Sequence, residues 1–463
     1  MNPERLFLAG LSAYVRGERR AAARYCARAL DDGRPSDMLG VRLIHLRLIA
    51  TELWWSVAPT DNVAALVTRA HAAAVRAGDP ALAALARCLR GRYLIATDSL
   101  PSAIAAFAEA AELAAGSGNL LAEIEALSDL GHHTAGRNLD RGLAILRTAQ
   151  ARADESADDG APPFDRPLLP LQRARLAGLI GVAIFDDGRF DEAESWLRRS
   201  LGALQALHGW DLSASISNYL AQLLTEAGRF EEAEQVLLAA LEPLRADADL
   251  STFQGYNLGL LGKLYLEWGR IADAERNLTA GWSRLQKTHH PSILPILRNY
   301  MGELLMQPEY PGYDIRRACE LFDETIMECQ YSGFQRSEIS ALTLRALADL
   351  RLGDYDSACA VSARAVARLA ATGTMPALRT EEVYLARYQA LIATGADQEA
   401  RESLSAARSV VDRKATTIAS SRKREQFLTR VRVSHQVMTA SRRSRLLLHP
   451  GRVIHQVAPA DLA

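Results

Sequence analysis

Lysine is nearly missing from this chain: Lys263, Lys287, Lys414 and Lys423 are four of 54 basic residues, and the rest are arginine. That bias fits a GC-rich coding sequence and carries no functional signal. Charge of one sign is missing too, since the net charge is −1, so no global field draws the chain to nucleic acid or anionic lipid. Aromatic residues make up only 6%. The cysteines Cys26, Cys88, Cys319, Cys329 and Cys359 are odd in number and never spaced C-x-x-C, which excludes a patterned disulfide framework and suits a reducing compartment. No apolar run approaches the 18 residues of a membrane span. The opening MNPERLFLAGLSAYVRGERR mixes acids and arginines and has no long apolar core, unlike a secretory leader. A cytoplasmic protein with no membrane partner is expected. G-x-x-x-x-G-K-[ST], H-E-x-x-H and a nucleophile elbow are all lacking, which removes the common signatures of phosphate, zinc and acyl chemistry.

What is present is repetition. DGRFDEAESWLRRSL (187–201) returns forty residues later as AGRFEEAEQVLLAAL (227–241). In the second copy Phe230, Ala233, Val236, Leu237, Ala240, Leu241 and Leu244 fall at three-and-four spacing, one stripe of an amphipathic helix. Gly228 precedes it as a turn residue, and SISNYLAQLLTEA before that carries a second helical stripe. One unit is therefore helix, glycine turn, helix.

The second helix carries a small residue, a bulkier one four later and a small one three after that. Ala233, Leu237 and Ala240 fill these sites in the unit just described. The first small site recurs at Ala22, Val63, Ala103, Gly142, Ala193, Ala233, Ala274, Ala318, Ala358 and Ala400. The steps are 41, 40, 39, 51, 40, 41, 44, 40 and 42 residues, giving ten units. Small contact points let helix backbones approach, and a hairpin that cannot bury both its faces alone must stack on its neighbours.

Gly-x-Phe-x-x-Ala with a preceding Leu-Gly or Leu-Ala resembles the tetratricopeptide repeat (TPR). The step near 41 is similar to the long variant found in kinesin light chains and bacterial signalling proteins. His290-Pro291 opening a first helix, and the first-helix stretches SNYLAQLL and RNYMGELL, carry the same likeness. The last unit is similar to the end of TPR modules that follow ATPase, kinase or cyclase domains in bacterial regulators, without their catalytic half. The resemblance implies an all-α fold, a right-handed superhelical solenoid of about ten helix hairpins with a C-terminal capping helix.

The 51-residue step contains RADESADDGAPPFDRPLLP (152–170), read as a mobile acidic loop: a surface insertion, or a hinge or strap able to lie in the groove. It separates four N-terminal units (1–151) from six (171–415). Residues 416–445 are expected to form one basic amphipathic capping helix, and 446–463 a tail. Residues 413–445 hold ten Lys or Arg against Glu425, but the interleaved Phe427, Leu428, Val431, Val437 and Met438 favour a cap with an arginine-rich outer face over a nucleic-acid surface.

No cluster suggests catalysis, a cofactor or a metal. His132-His133 and His289-His290 are adjacent pairs pointing about 100° apart, poor chelates read as turn or cap residues. Cys319 and Cys329 read as small buried hydrophobes. Glu231, Glu232 and Glu234 lie opposite the apolar stripe and read as a solvated face.

The groove is the better candidate. In the family the first helices line the concave side, and by that resemblance Asn218, Gln222, Lys263, Asn299 and Glu303 point inward, with Arg175 extending the row. In peptide-binding members groove asparagines hold the ligand's main chain, a role the resemblance carries to Asn218 and Asn299. The expected function is a non-catalytic scaffold taking a partner protein or peptide in the groove. The alternative is a ligand- or peptide-responsive regulatory subunit acting on an effector encoded elsewhere.

Overall fold

The computed structural model describes residues 2–33, 35–51, 61–155, 161–244, 251–288, 292–373 and 379–448. Every regular element among them is helical. The N-terminal hairpins are α1 (Pro3–Val15) with α2 (Arg19–Asp32), α3 (Asp37–Ala50) with α4 (Asp61–Ala77), α5 (Pro80–Thr97) with α6 (Leu100–Ala115), and α7 (Leu120–Ala135) with α8 (Leu139–Glu155). Then come α9 (Leu169–Asp186) with α10 (Phe190–Ala206), α11 (Trp210–Glu226) with α12 (Phe230–Leu244), and α13 (Ser251–Glu267) with α14 (Ile271–Thr288). The last are α15 (Leu294–Leu305) with α16 (Ile315–Ser332), α17 (Gln335–Leu352) with α18 (Tyr355–Thr372), and α19 (Thr380–Ala393) with α20 (Asp397–Thr416). These are the ten units of the sequence pattern. Each first helix also packs on the first helix of a neighbouring unit, which makes the stack continuous.

The small–bulky–small triplet explains the packing. Every residue of the ten triplets is buried except Val63, which is partly exposed. In six of the units the middle residue lies against a glycine of its own first helix. A Cβ at Gly302 would stand 2.4 Å from the Phe322 ring, one at Gly91 2.4 Å from Phe107, and one at Gly262 2.4 Å from Leu278. That is the reason for the Leu-Gly motif: the glycine leaves the space that the knob fills. The turn glycines have a separate job. Gly188 and Gly228 sit at φ 77° and 73°, a region that costs residues with a Cβ. By length and hydropathy, the segment Arg166–Asp186 would suit a membrane, but 89% of its apolar window lies inside the fold.

Three features differ from expectation. The cap is two helices, α21 (Ser421–Arg430) and α22 (Arg432–Leu448), because buried Val431 takes an extended backbone between them. Helix α22 also runs into the stretch expected to be tail. Secondly, part of the basic stretch faces the repeats: Lys414 of α20 and Lys423, Arg430 and Arg432 of the cap pair with Glu226, Glu194, Glu231 and Glu303, while Arg422, Arg442 and Arg443 are exposed. Thirdly, the described part of the acidic loop is packed. Asp165 is 1% exposed, pairs with Arg42 and accepts from Asn119 Nδ2 at 2.7 Å, while Phe164 meets Phe7 edge-on. That part docks on the N-terminal units instead of crossing the groove. His289, His290 and Pro291 lie outside the described residues.

The array closes on itself. Thr417 Oγ1 donates to the Gly188 carbonyl at 3.0 Å and accepts from Phe190 N at 3.1 Å. The Ala419 amide donates to Asp191 at 2.8 Å, and Phe427 meets the Phe190 ring at 5.6 Å. A Cβ at Gly228 would lie 2.8 Å from the Gln426 carbonyl, so the second turn glycine also admits the cap. Nearer the N-terminus, Leu100 and Phe334 share one apolar cluster, which joins the α5–α6 turn to the start of α17 across the interior.

Candidate functional site

Counting back from the turn glycines gives the inward register of the first helices. Two residues before Gly188, Gly228 and Gly269 stand Asp186, Glu226 and Glu267, and six before the last two stand Gln222 and Lys263. Helical spacing puts these positions on one face, turned to the interior of the array.

The interior holds two connected spaces. The larger, a cavity of about 200 Å³, collects residues of α5, α6, α7, α9, α11, α13, α15 and α17. Its polar wall includes Arg92 and Arg175. Behind them is a buried network in which Arg92 donates to Glu125 at 2.8 Å and Asp129 at 2.9 Å, Arg175 binds Asp129, and His45 meets Glu125 at 3.0 Å. Burial pushes the Glu125 carboxyl up, but His45 and Arg92 outweigh it and hold the group down at about 2. His133 stacks on Phe107 with centroids 5.2 Å apart, and His132 meets Tyr219 edge-on. Burial keeps both imidazoles neutral: His133 falls to about 4, and His132 well below its usual value, where His133 and two arginines add to the effect.

The smaller space, about 80 Å³, is a polar recess lined by Gln222, Lys263, Asn299, Glu303, Arg379 and Glu382 among others. It shares Tyr256, Ile296, Arg336 and Ser337 with the larger cavity. Lys263 Nζ stands 2.8 Å from Glu267 and 2.6 Å from Glu303. Arg379 reaches Glu267 at 2.7 Å, and Arg432 of the cap reaches Glu303 at 3.3 Å. Burial pushes Glu267 up, yet Arg379 and Lys263 hold it well below its usual range. Among the described residues no group of three or more His, Cys, Asp or Glu is placed to hold a metal ion.

Residues 172–246, which contribute Arg175, Tyr219 and Gln222 to these walls, match the family model of the tetratricopeptide repeat. This stretch is a tetratricopeptide repeat. The chain is also similar to solved structures. Aspartyl phosphate phosphatase F from Bacillus subtilis shares 12% identity at TM-score 0.48, over 80% of this chain and 95% of that one. The apo form of the quorum sensor NprR from B. thuringiensis shares 15% at 0.47, over 76% and 94%. A Rap protein complexed with competence and sporulation factor shares 12% at 0.47, over 79% and 100%. None of the curated proteins compared matches the chain.

The helical-repeat framework brings together four of the six expected groove residues. Gln222, Lys263, Asn299 and Glu303 line the polar recess, and Arg175 lines the neighbouring cavity. Asn218 lines neither. It is 1% exposed, and neither its amide nitrogen nor its oxygen has a hydrogen-bond partner among the described residues. The register explains why. Asn218 stands ten residues before its turn glycine, where the adjacent units place Gly178 and Gly259, which are pressed by Ile216 and Leu297. This is a helix-packing position, and the next residue, Tyr219, faces the cavity instead. Asn299 is engaged too: its Nδ2 donates to the Ser337 carbonyl at 3.1 Å, which ties α15 to α17.

Sequence reasoning missed His132, His133, Tyr219, Tyr256 and Arg336 as interior residues. The histidines sit in the last turn of α7 and line the cavity, whereas the sequence suggested turn or cap residues. A 100° offset that spoils chelation still lets both rings reach one broad cavity. The acid two residues before each turn glycine was a signal in the sequence that could have marked Glu226 and Glu267. Glu231 and Glu232 are exposed and Glu234 partly so, as expected of a solvated face, and they pair there with Arg430, Arg229 and Arg270.

Proposed function

We propose that this chain is a non-catalytic interaction scaffold whose interior surface takes a segment of a partner protein or peptide. The observation that carries the reading is the polar recess: Gln222, Lys263, Asn299 and Glu303 come from three successive first helices and meet in one space that opens into a larger, more apolar one. A rigid wall of side chains locked by neighbouring units binds without much ordering cost. The cysteines are free and four of the five are buried, in keeping with a cytoplasmic setting.

The test is quantitative capture from the native host's lysate with three baits. Gln222→Ala combined with Ser340→Trp alters and fills the recess, and is expected to lose the partner that the unaltered chain captures. Asn218→Ala is expected to keep it. Equal capture by all three baits would move the partner site to another face.

One observation favours the regulatory alternative. Glu303 belongs both to the recess, through Lys263, and to the cap, through Arg432. A ligand that draws on Glu303 or Lys263 therefore acts on the contact that holds α22. A ligand-dependent change in radius by small-angle scattering would separate this switch from a passive scaffold.

A further inference from the structure

The larger cavity has a chemistry that the polar recess lacks. Ile95, Leu179, Leu212, Ile216, Ile293 and Ile296 form its apolar wall, and among the described residues no Asp or Glu lines it. The guanidinium groups of Arg92 and Arg175 are already matched by Glu125 and Asp129. Arg336 is not matched. It stands in the first turn of α17, lines the cavity, and makes no hydrogen bond or ion pair with any described residue; its Nε is buried and unpartnered.

That charge is partly exposed and has no ion pair among the described residues, although Arg336 also lines the polar recess that holds Glu303 and Glu382. The buried acid that feels Arg336, Asp186, has neither carboxyl oxygen hydrogen-bonded, and burial pushes it well above its usual range against the pull of Arg336. Burial also lowers both histidines, which disfavours their charged forms. A cation held against apolar walls is costly without a counter-charge, and a guanidinium matches a carboxylate in shape as well as sign.

We propose that this cavity is a binding site for a small apolar monoanion, its carboxylate on Arg336 and its hydrocarbon body against the isoleucine and leucine wall. A volume of about 200 Å³ suits a compact ligand, and the apolar cluster that includes Leu100 and Phe334 forms part of its lining. The cavity shares Arg336 with the polar recess but has its own apolar wall, and a chain with both would hold a partner in one space and a small acid in the other.

The test is calorimetric titration of the full chain with sodium octanoate, octan-1-ol and octylamine, which share a body and differ in head group. Octanoate is expected to bind once per chain, with the alcohol and amine at least about tenfold weaker. Arg336→Met is expected to abolish that preference, and Arg336→Lys to keep part of it. Ser215→Phe, which fills the cavity and leaves Arg336 in place, is expected to remove octanoate binding while circular dichroism stays unchanged. The proposal is overturned by equal binding of the three probes, by octanoate binding that is indifferent to both Arg336→Met and Ser215→Phe, or by no saturable binding up to about 10 mM. Failure of the scaffold reading is distinguishable, because partner capture is read on Gln222→Ala/Ser340→Trp, which leaves the lining of the apolar cavity untouched.

Discussion

The Lys263 ammonium stands 2.6 Å from the Glu303 carboxylate of the next unit, and both side chains are largely buried. Two residues expected to reach for a partner instead hold each other, with Glu267 and Arg432 as further members of the network. Removing one member of a buried ion pair strands the others. Lys263→Met is therefore expected to destabilise the fold by about 3–5 kcal/mol. Lys263→Met/Glu303→Gln should cost clearly less than the two single changes added together. Urea denaturation of the four proteins measures the coupling, and strict additivity would rule the pairing out.

Gly302 is the floor under Phe322. A methyl group there would enter the ring's space at 2.4 Å, so Gly302→Ala is expected to cost about 1–3 kcal/mol even though alanine is the better helix former. Adding Phe322→Leu should recover part of the loss. A Gly302→Ala protein that melts higher than its parent would contradict the packing account.

The cap depends on Phe427, which is 1% exposed against Phe190. Phe427→Ala should cost about 3–5 kcal/mol if the whole array unfolds as one unit. If the cap opens alone, amide exchange will rise first at 414–431 and at the α9–α10 turn, where Thr417 and Ala419 are bonded. Unchanged exchange in both segments would show that the closure contributes nothing.

Acid should weaken the protein in two stages. Burial holds His133 down to about 4, below its ordinary 6.5, so the unfolded chain takes up the proton first. That stability is complete above pH 6.5 and is lost as pH falls towards about 4. Glu125, held at about 2 against its ordinary 4.5, adds a second loss between those values. His133→Gln should shrink the first stage, leaving the share of the equally buried His132, and leave the second, as followed by urea midpoints across this range.

Asp186 works in the opposite direction. Burial raises its folded value, so folding binds a proton and stability falls as pH rises from the unfolded value towards the folded one. Asp186→Asn should stabilise the protein at pH 8, and by less at pH 4. A variant less stable at both values would mean that the carboxyl has a role its surroundings do not reveal.

The repeat itself was legible in the sequence. The step near 41, the small–bulky–small triplets and the turn glycines are local patterns, and each unit repeats because it is the packing partner of its neighbours. Most of the polar recess was legible too, since Gln222 and Lys263 keep a fixed count from their glycines. Asn218 was misplaced because a shift of one residue turns a helical position by about 100°, and only the close approach of Ile216 and Leu297 at the equivalent glycines shows which side is packed. The closure of the array was not legible at all. Thr417 and Gly188 are 229 residues apart, as are Lys423 and Glu194. Sequence sets the geometry of one hairpin on the next, but small rotations summed over many hairpins decide which distant turns meet. That sum also leaves Arg336 lining an apolar cavity with no ion pair to any described residue.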